Sequence, residues 1–164
     1  MIKNYWKIIL VMLAGLILQV IFNEYLPVFN VGPQILMITV IYFAFIYGST
    51  FGEIYGFICG LLIDTFSISL FGINSLALTI IGYGFGWVSH KIDESQGLVQ
   101  LLFTLIASCF YILVIYLAFL FSGSGKEITL PVLFVVPVYN MFLTPVIFII
   151  LSRIMNKTMH KHLH

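Results

Sequence analysis

Charge is almost missing from this sequence over stretches long enough to cross a bilayer. No Asp, Glu, Lys or Arg lies between Ile8 and Phe22, Gln34 and Thr50, Leu98 and Phe121, or Pro131 and Ser152. Of the 164 residues, 8% are charged and 62% hydrophobic, whereas a soluble domain carries roughly 25% charged residues. So few charges cannot cover a protein of this size against water, and the solvent for most of its surface must be lipid. A helix crossing the hydrocarbon core needs about 20 mostly apolar residues. Six such segments are predicted: Trp6–Phe22, Gln34–Thr50, Glu53–Leu70, Ile73–Ser89, Leu98–Phe121 and Pro131–Ser152. The expected fold class is therefore all-α, a compact integral membrane bundle of about six transmembrane helices forming a single polytopic domain over residues 1–164.

Basic residues set the expected orientation. With the N-terminus inside, the cytoplasmic segments hold Lys3, Lys7, Lys91, Arg153, Lys157 and Lys161, and the outer loops only Lys126. Six spans then place both termini in the cytoplasm, with Trp6 and Trp87 at the inner interface as an aromatic belt. The first span follows Lys3 and Lys7 as a signal peptide would, but lacks a small-x-small cleavage pattern and reads as a retained helix. The net charge of +1 without a basic block leaves no electrostatic footprint for nucleic acid.

Glycine recurs every fourth residue at Gly48, Gly52, Gly56 and Gly60, and again at Gly82 and Gly86, with Gly84 between. At 3.6 residues per turn such positions share one helix face, drifting by about 40° each. Glycine within a helix costs about 1 kcal/mol relative to alanine, which close helix–helix approach in lipid can offset. Two readings stand: packing among spans two, three and four, or docking of a partner helix.

Asp64 falls well inside the third span, where an acid costs about 2.5–3.5 kcal/mol on insertion scales. Ser67, Ser69 and Asn74 are the nearest polar candidates in sequence. Asp64 is either a hydrogen-bonding hub fixing the corner between spans three and four or a proton or ligand site. Glu53, near the start of the same span, reads as interfacial. Pro137 and Pro145 flank Asn140 in the last span. Each proline removes a backbone donor, so the helix is kinked or broken, with Asn140 or Thr144 available to satisfy freed carbonyls. Cys59 and Cys109 read as buried small hydrophobes. His160, His162 and His164 form a basic tail with Lys157 and Lys161, metal binding being the sharper alternative. No nucleophile elbow, zinc-protease helix motif or Walker loop is present, and no carboxylate pair occupies the spans. The expectation is no catalytic residue, no metal and no cofactor.

The run from Gly48 to Asp64, G-x-x-x-G-x-x-x-G-F-x-x-G-L-L-x-D, resembles the MreD family of rod shape-determining proteins. The likeness continues through Ser67, through Phe71-Gly72-Ile73-Asn74-Ser75-Leu76 and through Gly82-Tyr83-x-x-Gly86, and Pro33 and the Pro137–Asn140–Pro145 region fit it. The resemblance implies a non-enzymatic member of the bacterial elongation machinery in the plasma membrane. Its partners would be an MreC-like single-span protein and, around it, a RodA-type glycosyltransferase, a class B penicillin-binding protein and the MreB filament. It also implies a fold similar to the substrate-binding subunits of energy-coupling-factor vitamin transporters. Such a transporter subunit is the main functional alternative. Ala14, the single alanine of span one, leaves it without an A-x-x-x-A docking pattern. An intramembrane enzyme or a proton-coupled carrier would each need a second ionisable group at the depth of Asp64.

Overall fold

The structure, a computed structural model, describes residues 5–25, 27, 32–66, 71–89, 97–123 and 130–155. They form six helices and, among the described residues, no strand: α1 (Tyr5–Tyr25), α2 (Ile35–Tyr47), α3 (Ser49–Phe66), α4 (Ile73–Ser89), α5 (Gly97–Ser122) and α6 (Leu130–Met155). Ser67, Ser69, Lys91, Lys126 and the histidine-bearing tail lie outside the described residues. The chain is a multi-pass membrane protein.

The six helices are not six equal spans. Three, α1, α5 and α6, are long and apolar enough to cross a membrane by themselves. The expected second span stops at Tyr47, because Gly48 takes φ +86° and turns the chain, a conformation that side-chain-bearing residues rarely adopt. Gly48 is thus a corner and not part of a helical glycine groove, a correction to the sequence reading. The third helix begins at Ser49, not Glu53, and its described part ends at Phe66. At about 1.5 Å per residue, the 13 residues of α2 reach about 20 Å, well short of a hydrocarbon core about 30 Å thick.

Helix α2 can be short because it does not meet lipid. Every residue from Ile35 to Phe45 is buried, and α1, α3, α4 and α6 all pack against it. Its aromatic rings reach outward to α3, α5 and α6. Tyr42 meets Phe148 of α6 edge-on at 5.3 Å, Phe43 meets Tyr55 of α3 at 4.8 Å, and Phe45 meets Phe103 of α5 at 5.2 Å. Lipid-facing side chains lie on the outer helices, such as Leu13 and Ile17 on α1, Leu102 and Ile106 on α5, and Phe142 and Val146 on α6. Lys7 of α1 donates to the carbonyl of Ile154 at 3.0 Å and links the first helix to the last turn of α6.

Helices α3 and α4 form an antiparallel pair whose backbones touch. A Cβ built on Gly82 would stand 2.0 Å from the Gly52 carbonyl oxygen, one on Gly56 2.3 Å from that of Leu78, and one on Gly60 2.2 Å from Ser75 Cα. A Cβ on Gly86 would meet Ser49 Cα at 2.5 Å. Such distances have no room for a methyl group, so these glycines set the separation of the two helices. Gly84 faces open space.

This contrast gives a test. Gly60→Ala is expected to destabilise the purified protein by about 1–3 kcal/mol through overpacking against backbone. Gly84→Ala should be neutral or gain up to about 1 kcal/mol of helix propensity. Unfolding in mild detergent titrated with dodecyl sulfate measures both; equal effects would refute the assignment of the glycine face.

Candidate functional site

The chemistry of the bundle is concentrated where short helices end. A helix leaves its first four amides without helical acceptors, and lipid offers none. In α4 the cap position is Gly72, whose φ is +96° and which has no side chain to offer, although its carbonyl accepts the Leu76 amide at 2.9 Å. Asp64, from the last turns of α3, supplies the missing acceptors. Its Oδ1 accepts the Asn74 amide at 3.2 Å and Asn74 Nδ2 at 2.8 Å. Its Oδ2 accepts the Ser75 amide at 3.1 Å and Ser75 Oγ at 2.6 Å. Asp64 is 2% exposed.

The electrostatics follow from position. A carboxylate near the C-terminal end of its own helix is unfavourable. Directed instead at the N-terminus of α4, it meets the positive end of that helix's dipole and four donors, the arrangement that suits a buried carboxylate. Tyr111 of α5 donates its hydroxyl to Asn74 Oδ1, so the corner ties three helices together. Sequence reasoning named Asp64 and Asn74 for this corner but missed Ser75 and Tyr111. Ser75 could have been found, since it and Asn74 occupy the first turn of a helix whose cap residue is glycine.

A second capped end belongs to α2. The Gln34 amide donates to Asn140 Oδ1 of α6 at 2.8 Å, and the Leu36 amide donates to Gln19 Oε1 of α1 at 2.9 Å. Asn140 Nδ2 reaches Ser108 Oγ of α5 at 3.0 Å and Gln34 Oε1 at 3.4 Å. One turn along, Thr144 Oγ1 lies 3.0 Å from Thr104 Oγ1 and 2.7 Å from the Asn140 carbonyl. Asn140, Thr144, Thr104 and Ser108 have no exposed surface. Gln19, Thr104 and Ser108 escaped the sequence reading, although Thr104 and Ser108 repeat at the four-residue spacing of one helix face.

The two prolines leave the last helix continuous. Helix α6 continues through both Pro137 and Pro145, so it is not broken. Asn140 does not turn back to the carbonyls that the prolines free but crosses to α2 and α5, because the buried α2 amides have the greater need. Of the two free cysteines, Cys59 is buried, but Cys109 is exposed on α5, contrary to expectation. Glu53 is exposed near the start of α3. Among the described residues no group of three or more His, Cys, Asp or Glu side chains could hold a metal ion.

Both corners can be probed. Asp64→Asn presents an amide to donors that need an acceptor, and a loss of about 1–3 kcal/mol is expected. Asp64→Leu, which removes all four acceptor contacts, should lose more. Asn140→Leu strands the Gln34 amide and should also destabilise. Detergent unfolding ranks the three, and unchanged stability of Asp64→Leu would remove the corner from any structural role.

No curated protein and no solved structure matches the chain. The family model described as rod shape-determining protein MreD matches residues 1–162. With an all-helical membrane bundle and the glycine-to-aspartate corner already in view, that match covers nearly the whole sequence, and the chain belongs to the MreD family.

Proposed function

We propose that this chain is a non-enzymatic membrane scaffold or regulator of the bacterial cell-elongation complex, supporting lateral peptidoglycan synthesis and thereby rod shape. Membership of a family of rod shape-determining proteins carries this reading. The chemistry of the bundle supports it. Asp64, Asn74, Gln34, Asn140, Ser108 and Thr104, the polar groups with catalytic or carrier potential, are bonded to helix ends and to one another. The glycines at 52, 56, 60, 82 and 86 act in internal packing of α3 on α4. Partner contacts then fall to the outward faces of the bundle, within the bilayer.

The partners in this reading are an MreC-like single-span protein first, and through it a RodA-type glycosyltransferase, a class B penicillin-binding protein and the MreB filament. Both termini face the cytoplasm of a bacterial plasma membrane, in keeping with the positive-inside distribution of Lys3, Lys7, Arg153, Lys157 and Lys161. Purification of the tagged chain from native membranes in mild detergent, with mass spectrometry of what accompanies it, is the test. Recovery of a single-span MreC-like protein with wall-synthesis enzymes is expected. Recovery of a coupling subunit with its ATPases, or a retained vitamin, would replace the scaffold by a transporter subunit.

A further inference from the structure

Of the two acids in α3, Asp64 is consumed by the start of α4, and Glu53 is not. Glu53 is exposed and lies beyond the first turn of its helix, where the helix dipole contributes little. Among the described residues none bonds to it or forms an ion pair with it. The sequence explains why. No Lys, Arg or His occurs between Ile8 and Ser89, and α3 packs against α1, α2 and α4. The basic side chain that these helices do carry, Lys7, is engaged at the Ile154 carbonyl of α6.

Glu53 also lies deeper than the rim of the bundle. A Cβ on Gly82 would stand 3.1 Å from the Glu53 amide, so the two residues are level. Gly82 is seven residues before the end of α4 at Ser89, or about 10 Å by helical rise. Trp87, 57% exposed, falls between them, where an interfacial ring belongs. The carboxylate is thus rooted about 7 Å deeper than that ring. Charge facing lipid without a partner is costly.

The surface around it has a definite shape. One side of the α3–α4 pair is covered by α2. On the other side Ile80, Tyr83 and Trp87 are exposed on α4, and Glu53 and Phe57 on α3. Ile80, Tyr83 and Trp87 recur at three and four residues and so form one ridge. The occupant is selected by charge. A second copy docked through this face about a twofold axis would bring acid toward acid, because the face has no base to offer. A single-span helix with its N-terminus inside carries Lys or Arg at its inner flank, on stems that run along apolar surface.

We propose that the outer face of α3 and α4 docks the transmembrane helix of the single-span partner, with a Lys or Arg from that helix's cytoplasmic flank paired to Glu53. The apolar side of the partner helix lies along Ile80, Tyr83 and Trp87. This inference rests on the scaffold reading and its orientation, and adds to them the contact face and the charge that selects the partner.

The test uses the full chain in native membranes. A photoreactive amino acid replaces Tyr83 or, on α5, Leu102, whose neighbour Phe103 packs on Phe85 and which is therefore at similar depth. Cross-linking to the MreC-like protein from position 83 and not from position 102 is expected. Glu53→Lys should lower recovery of that protein by about tenfold, the low end of what close interfacial charge pairs contribute, with Glu53→Gln intermediate. Exchange of the partner's inner-flank base for Glu should restore recovery with Glu53→Lys. Detergent unfolding of Glu53→Gln should match the unaltered chain, which separates lost docking from lost folding. Undiminished recovery with Glu53→Lys, or cross-links from position 102 instead of 83, overturns this inference and leaves the scaffold reading standing. An unaltered chain that recovers no MreC-like protein sinks both.

Discussion

The end of a helix inside a membrane is the constraint on which this fold depends. A full-length span leaves its orphan amides and carbonyls in headgroups and water. A 13-residue helix cannot, and hydrocarbon provides no substitute partner. The amides at the start of α2 are therefore met by Gln19 from α1 and Asn140 from α6, and those of α4 by Asp64 from α3. Each acceptor comes from a different helix than the one it caps. The caps thereby do two jobs: they satisfy backbone and they choose which helices are neighbours. Burial of α2 on all sides then follows, since the helices that cap it must also surround it.

Two kinds of contact hold the surrounding helices, and they suit different needs. Between α3 and α4 the glycines allow backbone-to-backbone contact, so association draws on dispersion over a close surface. Between α5 and α6 the side chains of Ser108, Thr104, Asn140 and Thr144 bond across the interface. Such bonds contribute about 0.6 kcal/mol each on average in a membrane. Their value here is directional: they fix the register of α6 against α5, and with it the height of Asn140 relative to α2. The glycine pair fixes in the same way the height of Asp64 relative to Asn74.

Local features of this arrangement were legible in the sequence, and non-local ones were not. Long uncharged runs mark α1, α5 and α6, which face lipid, and equally α2, which is enclosed by other helices. The four-residue glycine spacing marks the α3–α4 face, and an acid ten residues before Asn74 marks the corner. Gly48 misled because spacing cannot tell a helical glycine from one at φ +86° that ends a helix. The polar contacts of Asn140 were invisible for another reason. Its partners Gln34 and Ser108 stand 106 and 32 residues away, and no periodicity connects residues on separate helices. The prolines suggested a local use for Asn140, whereas the uncapped amides of a distant helix were the stronger demand. Cys109 was misplaced because in a membrane protein an apolar run is as often lipid-facing as buried.

The sequence distance of 106 residues between Gln34 and Asn140 also has a meaning in time. A ribosome adds about 5–20 residues per second, so roughly 5–20 s separate the synthesis of the α2 amide from that of its acceptor. Until α6 is made, the nascent α2 lacks one of its caps and one of the four helices that enclose it, and it is too short to span the bilayer by itself. Three further helices, α3, α4 and α5, are made before the one that completes its capping and enclosure. The capping of a helix near the beginning of the sequence is thus completed by one near its end, so the last helix to be made locks the position of the second.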